Sequence, residues 1–320
     1  MSKLSRWLVA ASLACLAAHR CAAQPDSTQT PPIEEKTAGT QKIAGYFNLY
    51  WDARQGKLWL EIDKWGTEFL YQSGLSAGIG SNDIGLDRGQ LGATRIVRFE
   101  RSGPKVLLVQ ENLDYRAVSN DADERRAVHD SFAESVLWGF TVAAEEKDHA
   151  LVDATDFFLR DAHGVPAALR RTKQGAYHLD AARCAIYLPR TKNFPLNTEV
   201  EATLTFGGDD PGRWVRDVTP SPESITVREH HSFVQLPAPG YKPRPYDPRS
   251  SFFGISYMDY ATPISEPIEK IHRAASPGEE GSEGSNERAG AAHRLLPRSR
   301  GARTDSLRAT RGGALVEPGI

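Results

Sequence analysis

Glu229-His230-His231 is the densest run of titratable, metal-capable side chains in the sequence. Zinc peptidases place two histidines at i and i+4 of a helix, where both face one way and an intervening glutamate activates the metal-bound water. Here the run falls among β-formers. Adjacent residues of a strand point to opposite faces, so one metal does not readily bind both imidazoles. His129-Asp130 has no second histidine four residues on, and no His-Glu-x-x-His occurs anywhere. Neither a G-x-S-x-G nucleophile elbow nor a Walker phosphate loop is expected. Carboxylates are plentiful (Asp153, Asp156, Asp161, Glu145 and Glu146 among them), but spacing alone does not pair any two across a cleft, so glycosidase chemistry has no support. The sequence therefore assigns no catalytic, cofactor-binding or metal-binding residue.

Gly78-Ile79-Gly80-Ser81-Asn82-Asp83-Ile84-Gly85-Leu86-Asp87-Arg88-Gly89 is the most unusual internal segment. The dinucleotide spacing G-x-G-x-x-G fails and no helical pattern follows. Asn82, Asp83 and Asp87 miss the spacing of a calcium loop. Tight turns are expected, with a binding loop on the sheet rim as the alternative. Cys184, in the strand-like run Arg183 to Tyr187, reads as a small core hydrophobe rather than a nucleophile.

The elements that must position these residues are mostly strands. Glu199 to Phe206 alternates polar and apolar almost perfectly, as in a strand with one buried face. In Lys57 to Ile62, Leu58, Leu60 and Ile62 share a face. Arg95–Phe99 and Val106–Gln110 flank a turn at Arg101-Ser102-Gly103-Pro104 and form a predicted hairpin. Phe140–Ala144 and Ala150–Ala154 flank the charged turn 145–148, and Ser224–Arg228 with Ser232–Leu236 form another predicted pair. One helix stands out. Asp121 caps it, Glu124 completes a capping box, and Val128, Phe132 and Val136 make its apolar stripe up to Trp138-Gly139. Phe252 to Tyr260 is a core strand or an edge that docks a following domain, and core is the favoured reading. The predicted fold class is α+β, predominantly antiparallel β-sheet and sandwich-like, with that one clear amphipathic helix.

The flanks differ in texture. Lys3 and Arg6, the apolar run Trp7 to Ala18, and Cys21-Ala22-Ala23 form a three-part export signal over residues 1–23. Cleavage after Ala23 leaves Cys184 as the lone cysteine, so no intramolecular disulfide is available. Residues 24–41 read as a flexible lead-in and 42–270 as the β-rich domain. Residues 271–320 contain no Phe, Tyr or Trp and read as a disordered tail. The 320 residues carry 39 basic and 41 acidic side chains, a net charge of −2, which argues against a nucleic-acid partner. Beyond the signal no apolar run is long enough for a transmembrane helix.

Several blocks resemble exported bacterial zinc-dependent metalloproteases of the EcxA-like, metzincin-related type. They include Ser76 to Gln90, Arg98-Phe99-Glu100, Asn112 to Ala117, Ser131 to Phe140, Asp153 to Phe157, Tyr187 to Lys192, His230-His231-Ser232 and Asp259 to Pro263. The resemblance covers about Gly45 to Lys270 and corresponds to the N-terminal region of that family, to which no chemistry is assigned. It implies a periplasmic or extracellular protein. It also implies zinc in the intact parent but none in this chain, and a downstream catalytic domain as docking partner. After Glu266 to Lys270 the family continues roughly as FIARHRLEKKDP. Ile271 to Glu283, with suitable codons and read one base out of frame, yields FIARHRLEKKDPK, and two later stretches behave alike. The resemblance thus implies a frameshift near Lys270 and a non-catalytic N-terminal fragment. A stand-alone envelope binding module is the alternative.

Overall fold

The computed structural model describes residues 30–237, 246–249 and 254–273. The export signal, residues 24–29, Phe252, Phe253 and the tail from 274 onward lie outside the described residues.

Sixteen strands and five short α-helices follow in order. Helix α1 (Ile33–Lys36) precedes β1 (Gln41–Ile43), β2 (Leu49–Asp52), β3 (Lys57–Ile62) and β4 (Phe69–Ala77). Next come β5 (Leu91–Ser102), β6 (Lys105–Gln110), β7 (Tyr115–Arg116), α2 (Ala122–Ser131), β8 (Ser135–Glu146) and β9 (His149–Asp153). Helices α3 (Thr155–Phe158) and α4 (Val165–Arg171) lead to β10 (Ala176–Leu179), β11 (Ala185–Ile186), β12 (Lys192–Phe194) and β13 (Asn197–Asp209). The last elements of the described residues are α5 (Arg213–Val218), β14 (Ser224–Gln235), β15 (Gly254–Asp259) and β16 (Glu269–Arg273).

Thirteen strands form one antiparallel sheet in the order β1-β2-β3-β9-β8-β6-β5-β4-β14-β13-β10, with β11 and β12 also on β13. The sheet curls until its ends meet. Tyr46 N donates to Phe194 O at 2.8 Å, and Asn193 Nδ2 donates to Ile43 O and Phe47 O at 2.8 and 2.6 Å. Inside the curl Phe47, Phe69, Phe99 and Phe233 pack with ring centroids 5.2–6.2 Å apart. A second apolar cluster holds Leu204, Phe206, Val215, Ile225 and Val227 under α4 and the 78–90 loop. A small sheet, β16-β15-β7, stands apart with β7 and β15 parallel. The predicted fold class, α+β with antiparallel sheet dominant, is the observed one.

Five local expectations are corrected. The helix ends at Ser131, because Phe132 is already extended (φ −124°) and Ser135 to Trp138 pair with β6 instead. β-Branched and aromatic residues there gain a sheet ladder that another helical turn would forfeit. Asp121 does cap, accepting from Asp123 N at 2.8 Å. Ser224 to Gln235 is one strand rather than a pair, its polar middle held by neighbours on both sides. The lead-in is anchored from Pro31, whose carbonyl accepts from Glu145 N at 3.0 Å, and Ile33 is buried. The strand β15 is an exposed element of the small sheet, not core. The sheet continues through Ile271 to Arg273, past the expected start of the tail.

Candidate functional site

Strand β14 sets the chemistry because its two faces meet different surroundings. Ile225, Val227, Glu229, His231 and Phe233 point inward by period two, and all are buried. Glu229 and His231 therefore lie between the two apolar clusters. Glu229 Oε2 accepts from Ala162 N at 2.9 Å, and its other oxygen lies 3.4 Å from His163 N. Burial, then the neighbouring Asp161 carboxylate, push the Glu229 carboxyl up to about 9, so it is protonated at neutral pH. His231 Nδ1 lies 2.9 Å from the Tyr71 hydroxyl, to which Arg160 Nη2 donates at 3.1 Å. Burial, then the charge of Arg160, lower the His231 imidazole to about 3. Asp161 also accepts from Gly164 N and Val165 N at 2.7 and 3.1 Å, tying the start of α4 to this strand.

The outward face carries Arg228, His230 and Ser232. Register with β13 sets Glu201 opposite His230 and Glu199 opposite Ser232. His230 Nε2 lies 2.6 Å from Glu199 Oε2, and its Nδ1 lies 3.4 Å from Glu201 Oε2. Ser232 donates to the same Glu199 oxygen, and Asn197 Nδ2 donates to the other at 2.5 Å. Burial opposes charge on His230, but the hydrogen bond and charge of Glu199, then Glu201, outweigh it and raise the imidazole above its ordinary value. These groups floor a cleft of about 500 Å³ whose walls include Leu75, Leu91, Phe194, Arg190 and Lys192.

Serine catalysis needs an imidazole that accepts the hydroxyl proton. In this cluster the order is serine, carboxylate, imidazole, and both ring nitrogens of His230 face carboxylates. Gly74-Leu75-Ser76-Ala77-Gly78 has the G-x-S-x-G spacing, a match overlooked above. Ser76 lies within β4, its hydroxyl 3.4 Å from Arg228 O, and a loop rather than a helix follows. It is therefore no nucleophile elbow. Glu199 is already shared by three donors, and no group of three His, Cys, Asp or Glu among the described residues is placed to hold a metal.

The remaining sequence candidates take structural places. The 78–90 loop buries Ile79, Ile84 and Leu86. A Cβ on Gly78 would meet Leu86 O at 2.1 Å, which explains that glycine, while Gly89 and Gln90 reach the cleft wall. Cys184 is half-buried, with its thiol pushed up by burial. Asp153 pairs with Lys57 at 2.8 Å, and Asp156 and Glu146 are exposed. Only Asp161, of the carboxylates singled out above, joins another buried carboxyl, that of Glu229.

The period-two pattern holds the signal that would have found the inward pair. Reading Ile225-x-Val227-x-Glu229-x-His231-x-Phe233 as one strand puts a carboxyl and an imidazole on an apolar face.

A family model described as a domain of unknown function (DUF5117) matches residues 89–273, more than half of the chain. A second, also a domain of unknown function (DUF5118), matches residues 30–78. Among curated proteins and among solved structures nothing matches.

Proposed function

From the premise that the chain belongs to the DUF5117 family, with a DUF5118 segment ahead of it, we propose that it is a non-catalytic region of an exported zinc-dependent metalloprotease, built to dock a catalytic domain. The observation that carries this reading is a set of exposed apolar side chains at the C-terminal end of the family segment, on both faces of the small sheet and beside it. Ile255, Tyr260, Ile264, Ile268 and Ile271 are all exposed there, on or beside the small sheet. Exposed apolar groups gathered at one end of the matched segment suit a protein interface better than open solvent. By resemblance, the parent hydrolyses peptide bonds with a zinc-activated water. The residues described here supply neither its ligands nor its base.

The test uses the purified chain with zinc added and a denatured protein substrate. No proteolysis is expected. The chain is also expected to self-associate with rising concentration, and Ile264→Asp with Ile268→Asp to reduce this. Zinc-dependent cleavage by the chain overturns the proposal. A concentration-independent monomer with cooperative unfolding favours the stand-alone envelope module instead. Sequencing the DNA across codons 269 to 272 tests the frameshift, and an uninterrupted frame into a His-Glu-x-x-His segment is the result that makes the parent intact.

A further inference from the structure

Glu199 and Glu201 share one cleft but differ in how they are satisfied. Glu199 accepts from Asn197, His230 and Ser232. The Glu201 side chain is 1% exposed, yet its Oε1 accepts no hydrogen bond, with Arg228 Nη1 standing off at 3.7 Å. Arg228 is held aside by stacking on the Tyr187 ring at 4.2 Å. A buried carboxylate oxygen without a donor is costly, and Glu201 is one of the residues that line the cleft. We propose that the cleft binds a free amino acid or short peptide as its zwitterion, with the α-ammonium on Glu201 beside Glu199 and the carboxylate toward Arg190 and Lys192.

Charge and shape select that class. Arg228 flanks Glu201 at 3.7 Å and Lys192 pairs across the ladder with Glu199, but with His230 neutral no group donates a hydrogen bond to Glu201 Oε1, which leaves a place for one added cation. Lys192 stands directly across the β12–β13 ladder from Glu199, and both it and Arg190 are exposed, so a cationic group borders the acidic floor. Leu75, Leu91 and Phe194 add apolar lining to the same cleft, the last two half exposed. The volume suits a small molecule held by a few convergent polar groups.

His230 makes the site its own competitor. It faces Glu199 and Glu201 from β13 and shares its strand face with Arg228. Gly74 of β4 stands opposite it, and Gln72, Ser73 and Ser76 of that strand add no charge. Lys192 of β12 and Arg190 are the other charged groups of the cleft. A protonated His230 supplies a further cation to the two carboxylates, whereas a neutral one withdraws it. Ligand binding and His230 protonation are therefore linked, each weakening the other. The site stands whether or not the chain docks a catalytic domain.

The experiment titrates the full chain with L-leucine, following the imidazole resonances by NMR. Binding should lower the apparent pKa of His230, and affinity should be greater near pH 8 than near pH 5.5. N-acetyl-leucine lacks the cation and should not bind, while leucinamide lacks the carboxylate and should bind more weakly. Glu201→Gln should weaken L-leucine about tenfold or more. His230→Gln should abolish the pH dependence of binding. Should the glutamine variant at 201 not fold, the His230 shift in the unmodified chain decides. Undetectable L-leucine binding, equal binding of N-acetyl-leucine, or an unmoved His230 resonance overturns the proposal.

Discussion

The inward and outward faces of β14 meet at three consecutive residues, Glu229, His230 and His231, and treat the same chemical groups in opposite ways. Inward, the carboxyl is held protonated and the imidazole unprotonated, so both are neutral at pH 7. Outward, His230 sits against Glu199 and is pushed toward its charged form. The residue types hardly differ. The surroundings do, an apolar interior on one side and two carboxylates beside a cleft on the other. A titratable residue in a strand thus takes its chemistry from parity, and a one-residue slip of register would exchange the two environments.

Removing a partner on the inward face should have the largest effect. Glu229→Ala leaves Ala162 N without an acceptor and opens a cavity, and should cost about 3 kcal/mol in urea denaturation. Glu229→Gln keeps the shape and isolates the proton. An unfolded carboxyl releases its proton near pH 4.5 and the folded one near 9, so the folded chain holds the extra proton between them. Stability must then fall as pH rises through that window, and the glutamine variant should lose this component of the fall.

His231 works in the other direction. The unfolded imidazole binds a proton near pH 6.5, the folded one only near 3, so acid favours unfolding between those values. His231→Gln should cost about 1–2 kcal/mol at neutral pH yet flatten the acid limb by one proton. The outward face should yield the smallest change. His230→Gln is expected to shift stability by less than about 1 kcal/mol. In an NMR titration His230 should change state above pH 6.5, while His231 stays silent until strongly acidic pH. Two imidazoles titrating together would break the comparison.

Much of this architecture is legible in the residues. Alternation marks Lys57 to Ile62 and Glu199 to Phe206 as strands, though the structure buries both faces of each over most of their length, and Gly103-Pro104 marks a hairpin turn that the structure contains. The helix start was readable because a cap is local. Its end was not, since the competing β6–β8 ladder joins residues about 30 apart in sequence. The same limit hid the site. The faces of β13 and β14 follow from period two, but that His230 meets Glu199 depends on cross-strand register. The polar middle of β14 also imitated a break, because Glu229 and His231 interrupt an apolar alternation they in fact continue.

The strand β4 carries a consequence for how the two matched segments belong together. Its residues end the DUF5118 match, yet it is hydrogen-bonded on one edge to β5 and on the other to β14, both of the DUF5117 match. Likewise β3 is zipped to β9. Two family assignments thus describe one cooperative folding unit, and neither piece owns a complete interior. Cutting the chain inside the 79–88 loop should give halves that are unstructured alone and regain the native sheet when mixed. The loop is thus a natural place to split the protein for fragment complementation, with β4 as the strand one half lends to the other.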